Sequence, residues 1–312
     1  MPLNEIALER LEGWKTAAME FAPLLMGEPF DTPLAELRRR YDQELARNLP
    51  PEGVSIAQVD MGGVPGTLVT PEGVKGDRAL LYLHGGGYLT GSPSGYHGIA
   101  GHYAKMLGAR VYLPDYRLAP EHPFPAALED SLAAYRWLAD HVGDTRNIVF
   151  AGDSAGGAMV VSTMVKARNA SFPLPAGGVA ISPWANLEMT GASYISRDGI
   201  DPLCNREILV LMARRALGGT LPNDPDASPV FADVRGLPPI LVQVGESEVM
   251  LSDAMRLATH LADNRVRTSL EVWPGMFHVW PMFAGVLPEG LQALESASIF
   301  LDRVLDQGRA GR

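Results

Sequence analysis

Two helical patterns open the chain. Residues 3–21 carry Leu3, Ile6, Leu8, Leu11, Trp14, Ala18 and Phe21 at near-helical spacing. Residues 33–47 put Leu34, Leu37, Tyr41 and Leu45 on one face, and Pro50-Pro51 ends that helix. Residues 54–72 alternate instead, which predicts two strands joined near Gly62-Gly63 as an antiparallel hairpin. From residue 78 short apolar runs alternate with helical periods. Strands are expected at Ala79–Leu83, Arg110–Leu113, Ile148–Ala151, Gly178–Ser182, Ile240–Val244 and Thr268–Trp273. Helices are expected over Gly98–Leu107, Ala126–His141, the segment after Gly157, and after each of the last two strands.

Alternation of this kind predicts an α/β architecture: a mostly parallel central sheet with helices on both faces. Sites in such sheets lie beyond the carboxyl ends of the strands. His84, Ser154, Glu248 and His278 all follow strands, so they are expected on one rim. Residues 185–226 interrupt the alternation with a loop, a helix near Arg206–Leu217 and the turn-rich GGTLPNDPDASP. This insertion and the helices of residues 1–50 are expected to form a cap. Residues 51–184 and 227–312 then make the core.

The stretch around which the pattern is arranged is NIVFAGDSAGGAMVV, residues 147–161. A buried strand runs into Gly152-Asp153-Ser154-Ala155-Gly156-Gly157 and then a helix. This is G-x-S-x-G in the strand–turn–helix setting of a nucleophile elbow. A side chain at Gly152 or Gly156 would collide with the neighbouring strand and helix, and the helix N-terminus behind the Ser favours developing negative charge. The pentapeptide alone is equally compatible with an ordinary strand-to-helix loop.

Composition narrows the functions. The chain has 312 residues, 46% of them hydrophobic, enough for a sizeable core. No apolar run of about 18 residues suggests a membrane span. The acidic start MPLNEIALERLEGWK lacks the plan of a signal peptide, so a cytoplasmic protein is expected. A formal net charge of −10 argues against a nucleic-acid partner. The single cysteine, Cys204, excludes an intrachain disulfide and a cysteine-rich metal site.

A Ser nucleophile needs a base, and the base needs an acid. Among seven histidines, His97, His102, His141 and His260 fall in or beside helices, His122 in a Pro-rich loop and His84 at the start of a glycine run. His278, in the loop PGMFHVW after the strand LEVW, is the best-placed base. Glu246, Glu248 and Asp253 follow the strand ILVQVG and are the candidate acids. Asp253 is expected inside the next helix, facing away or capping it. Gly85, Gly86 and Gly87, with Ala155 after the Ser, are candidate backbone donors to an oxyanion. No phosphate-binding glycine motif of the P-loop kind is present.

Taken together, HGGG at 84–87, DYRLAPEHPFPAALED at 115–130, GDSAGG at 152–157, SPVFADVRGLPPILVQVGESE at 228–248 and WPGMFHVW at 273–280 resemble the hormone-sensitive-lipase-like esterases, bacterial family IV of the α/β-hydrolase superfamily. The resemblance spans roughly residues 50–305 and implies an α/β-hydrolase fold with a helical cap. It implies a serine carboxylesterase for short- to medium-chain acyl esters, with Ser154 as nucleophile, His278 as base, and no metal or cofactor. Many members have an Asp in a D-P-L motif where this chain has Glu248-Val249-Met250. A subset resembles this chain, and the thirty-residue spacing to His278 favours Glu248, with Asp253 second.

Asp115, Arg117 and Glu121 are implied to form an ion network behind the HGGG loop, and a homodimer through the last strand and helix is suggested. Tyr88, Asp153, Trp184, Tyr194, Leu203, Met276 and Phe277 are candidates for lining the substrate pocket. The same machinery could act on a lactone, amide or thioester. A small-molecule receptor on this fold is disfavoured by retention of His278.

Overall fold

The computed structural model describes residues 3–27 and 32–310. Residues 1–2, 28–31 and 311–312 of the ranges assigned above to cap and core lie outside the described residues. The chain begins with α1 (Glu5–Met19), α2 (Ala22–Met26) and α3 (Leu34–Ala46), followed by β1 (Val54–Asp60) and β2 (Pro65–Pro71). Then come β3 (Ala79–Leu83), α4 (His97–Leu107), β4 (Arg110–Pro114), α5 (Ala126–Val142), β5 (Ile148–Asp153), α6 (Ala155–Asn169) and β6 (Gly177–Ile181). The insertion contributes α7 (Ser193–Ser196) and α8 (Arg206–Leu217), and the chain closes with β7 (Ile240–Gly245), α9 (Leu251–Asp263), β8 (Thr268–Trp273) and α10 (Pro288–Ala310).

The eight strands form one sheet in the order β1-β2-β4-β3-β5-β6-β7-β8. Only β2 runs against the others, pairing antiparallel with β1 and β4. This is the mostly parallel sheet expected from the alternation. Period-two burial sorts the strand residues to two faces. Leu81, Leu83, Ile148, Phe150 and Val242 pack with α5, α6 and α9, while Leu80, Tyr82, Val149, Ala151 and Val179 pack with α4 and α10. The strands β3 and β5 are fully buried on both sides, as expected where helices cover a parallel sheet. β8 is an edge strand with Leu270 and Val272 partly exposed, the edge named above for pairing with a second copy. No helix among the described residues is long and apolar enough to cross a membrane.

Chain order along the sheet reverses beside β3: β4 lies on one side of it and β5 on the other. The loops after β3 and β5 therefore diverge around a crevice, which is where α/β sheets bind ligands. Two glycines make that junction tight. A Cβ on Gly156 would meet the carbonyls of Leu83 and His84 at the end of β3. One on Gly152 would meet the carbonyls of Gly156 and Leu83. Gly156→Ala should therefore lower stability by about 1–3 kcal/mol through overpacking. Gly285, exposed and with nothing near its missing Cβ, serves as control, and Gly285→Ala should change stability by less than about 0.5 kcal/mol. Guanidinium midpoints read both variants, and equal midpoints would contradict the steric argument.

Candidate active site

Ser154 sits between the end of β5 and the start of α6 with φ 54° and ψ −119°. A non-glycine residue at positive φ is strained, and here the surroundings hold it there. The Ser154 N–H donates to the Ile181 carbonyl at 2.9 Å, and its carbonyl accepts from Trp184 N–H at 3.0 Å. The hydroxyl is thereby lifted above the sheet. It donates to His278 Nε2 at 3.0 Å. The other ring nitrogen, Nδ1, donates to Glu248 Oε2 at 3.0 Å. A carboxylate only accepts, so the proton lies on Nδ1 and Nε2 is free to accept.

Glu248 is fully buried, and its charge is met on every side. Oε1 accepts from Ser182 Oγ at 2.7 Å and from Gly245 N–H at 2.6 Å. The same Ser182 hydroxyl oxygen accepts from Val279 N–H at 3.1 Å, so one side chain holds both the acid and the loop of the imidazole. Burial alone would push His278 down. The Cys204 thiol and the Glu248 carboxylate beside it push the other way, and the net direction is well above the ordinary histidine value.

The glycine loop after β3 bends over this chain of bonds. Gly86 and Gly87 have φ of 104° and 61°. Their N–H groups, and that of Ala155 at the first position of α6, have no protein acceptor among the described residues. Gly85 does not belong with them. Its N–H donates to Asp153 Oδ1 at 3.1 Å, because the loop lies flat against the Asp153 carboxylate before it turns. Asp153 also accepts from Tyr82 OH at 2.8 Å, and burial pushes its carboxyl up to about 6.

Above Ser154 and His278 lies an apolar cavity of about 110 Å³. The N-terminal helices contribute Trp14, Phe21, Leu25 and Tyr41 to its wall, and the insertion contributes Leu203, Cys204, Ile208 and Met212. Of the seven pocket candidates, Asp153, Trp184 and Leu203 line it. The other four do not. Tyr88 and Tyr194 lie beside and behind Trp184: the Tyr88 ring is 6.3 Å from it, and Tyr194 OH turns to Asp253. Met276 and Phe277 point into the core under α10, where Phe277 meets Phe283.

Asp253 is not the partner of His278. It lies in the first turn of α9, accepts from Tyr194 OH at 2.6 Å, and is pushed up to about 7 by burial. Glu246 is exposed and accepts from Gly275 N–H. His84 is buried and stacked on Tyr116 at 4.1 Å, and His260 bonds the Ala232 carbonyl. The implied ion network also differs. Arg117 pairs with Asp130 and Glu129, whereas Glu121 pairs with Arg38 of α3. Arg38 also donates to the carbonyls of Leu89 and Ala119, so the cation behind the HGGG loop comes from the N-terminal helices.

Sequence reasoning missed Arg38, Ser182, Asp201 and the cavity side chains from the N-terminal helices and the insertion. Ser182 was legible as a strand-end residue on the same rim, but the others carry no local signal. Among the described residues, no group of three or more His, Cys, Asp or Glu side chains converges to hold a metal ion.

A family model described as the alpha/beta hydrolase fold matches residues 80–282. An acetyl-hydrolase of Streptomyces hygroscopicus is 42% identical over 275 residues, covering 87% of this chain and 90% of that protein. Among solved structures, an esterase from the bacterial hormone-sensitive lipase family aligns with TM-score 0.88 at 40% identity, covering 98% of this chain and all of that one (100%). A hormone-sensitive lipase from a metagenome library aligns with TM-score 0.87 at 34% identity, covering 97% and 100%. The strained Ser turn, the bonded His and Glu, and these relatives agree: the chain belongs to the alpha/beta hydrolase fold family, among its hormone-sensitive-lipase-like ester hydrolases.

Proposed function

We propose that the protein is a serine carboxylesterase that hydrolyses short- to medium-chain acyl esters through an acyl-enzyme on Ser154. The observation that carries this is the unbroken chain Ser154–His278–Glu248 on the floor of an apolar cavity. Ser154 Oγ attacks the ester carbonyl while His278 Nε2 takes its proton. The carbonyl oxygen gains charge where the N–H groups of Gly86, Gly87 and Ala155 converge, at the positive end of α6. Glu248 stabilises the imidazolium. His278 then gives its proton to the leaving alcohol, and a water activated by the same nitrogen hydrolyses the acyl-enzyme.

Cavity size and chemistry favour small acyl groups. Its volume falls below the roughly 300–1,000 Å³ of sites that enclose drug-sized ligands. The relative from Streptomyces hygroscopicus, named an acetyl-hydrolase, supports the same end of the range. In this reading residues 1–50 and 185–226 act as a cap that sizes the cavity. The core of residues 51–184 and 227–312 carries the chemistry.

Two measurements test the proposal. Hydrolysis of p-nitrophenyl butyrate by Ser154→Ala should fall by on the order of 10³-fold or more while the fold is kept. Activity near that of the parent would sink the mechanism. The pH profile follows from the upward shift of His278. An imidazolium cannot accept a proton, so kcat/KM should rise as pH passes the His278 pKa, with the acidic limb above the ordinary value of about 6.5. Glu248→Gln removes one of the groups that raise it and should move the limb of the residual activity to lower pH. A limb below about 6 in the parent, or one that Glu248→Gln leaves in place, would contradict this.

A further inference from the structure

The segment between α7 and α8 contains Asp201, whose carboxylate is buried with 6% of the residue exposed. It receives three backbone N–H groups, and no Lys or Arg among the described residues pairs with it. Oδ1 accepts from Leu203 N–H at 3.0 Å and from Cys204 N–H at 3.2 Å. Oδ2 accepts from Val249 N–H at 3.1 Å. Leu203 and Cys204 line the cavity, and Val249 directly follows Glu248. One carboxylate thus joins the cavity wall to the turn that carries the acid.

The other polar group of Val249 is held by the same insertion. Its carbonyl accepts from Ser193 Oγ at 2.5 Å. Ser193 and Ser252 then bond reciprocally: Ser193 N–H donates to Ser252 Oγ at 3.0 Å, and Ser252 N–H donates to Ser193 Oγ at 2.9 Å. The backbone that follows Glu248 is therefore held by residues of the insertion. The core holds the turn before Glu248, where Glu246 N–H donates to the Trp273 carbonyl at 2.9 Å and Ser247 N–H to the Met276 carbonyl at 3.0 Å, whereas after it the local bonds are longer, Glu248 N–H to Gly245 and Leu251 N–H to Glu248, both at 3.3 Å. Hydrogen bonds to an ionised acceptor are roughly twice as strong as neutral ones, so the Asp201 tether is the stiffer restraint.

We propose that Asp201 is a positioning residue that sets the alignment of Glu248 and the shape of the acyl pocket together, making the cap insertion part of the catalytic scaffold. The inference rests on the reading of Glu248 as the acid of the triad. Asp201 touches neither substrate nor the reacting atoms, and it acts through Val249 on one side and the Leu203–Cys204 backbone on the other. In Asp201→Asn the side chain keeps its volume, but one oxygen becomes an NH₂ that faces a backbone N–H. One of the two connections is broken, and the other is weakened because its acceptor is no longer charged.

The test is a double-mutant cycle on the full chain, read as kcat and KM for p-nitrophenyl butyrate. Asp201→Asn should lower kcat by about 10-fold or more, the scale of a small misalignment, and should change KM. In a Glu248→Gln background the same substitution should lower kcat by less than about 2-fold, because the contact it aligns has already been disabled. The KM change should persist there, since the pocket wall is still disturbed. Unchanged kcat in Asp201→Asn, or the same fold loss in both backgrounds, overturns the proposal while leaving the triad reading intact. Full kcat in Glu248→Gln alone overturns the triad reading instead. If Asp201→Asn does not yield folded protein, the Ser193→Ala cycle decides in the same way, because it loosens Val249 from the carbonyl side.

Discussion

The close approach of α6 to the end of β3 is the constraint on which the site depends. Gly156 lies against the carbonyls of Leu83 and His84, and Gly152 lies against Gly156 and Leu83. No residue with a side chain fits there without moving one of these backbones. Because they touch, Ser154, the positive end of α6 and the glycine loop converge on one point. The strain at Ser154, with φ 54°, is held by two backbone bonds, to Ile181 and from Trp184. The elbow is thus a product of sheet packing, and β5 and β6 are as necessary to it as the turn itself.

Around that point the protein buries several carboxylates, and each is supported differently. Glu248 meets an imidazole, a hydroxyl and a backbone amide. Asp153 meets a tyrosine hydroxyl and the Gly85 amide, which anchors the glycine loop. Asp201 meets three amides and spans from cap to core. Burying a charge is unfavourable unless it is fully hydrogen-bonded. Here the bonds reach segments far apart in the chain, so the groups that satisfy the charges also fix the site. The N-terminal helices and the insertion serve the site twice, through apolar side chains that line the cavity and through polar ones, Arg38, Ser193 and Asp201, that hold backbone around it.

Much of this was legible in the sequence because it is local. Alternating periods gave the strands and helices, and the parallel order implied a single catalytic rim. Glycines beside Ser154 marked the elbow. The spacing to His278 favoured Glu248 over Asp253, and in the structure Glu248 bonds the imidazole while Asp253 accepts from Tyr194. The failures are non-local. Tyr88, Tyr194, Met276 and Phe277 sit next to pocket residues in sequence or space, yet their side chains face the core. Gly85 shares a motif with Gly86 and Gly87, but its amide is taken by a residue 68 positions away. Arg38 and Asp201 hold backbone across long gaps in the chain, and no single-sequence pattern reports such a contact. The short helix α2 lacked the length to give a period.

The central claim is that one serine, activated by His278 and facing free backbone donors, is the nucleophile. Exposure of the full chain to an organophosphate, followed by intact-mass measurement and peptide mapping, tests it directly. The account predicts one adduct per chain, on Ser154, with loss of esterase activity in step with labelling. A folded protein that takes no adduct, or takes it on another residue while activity is lost, would contradict the account.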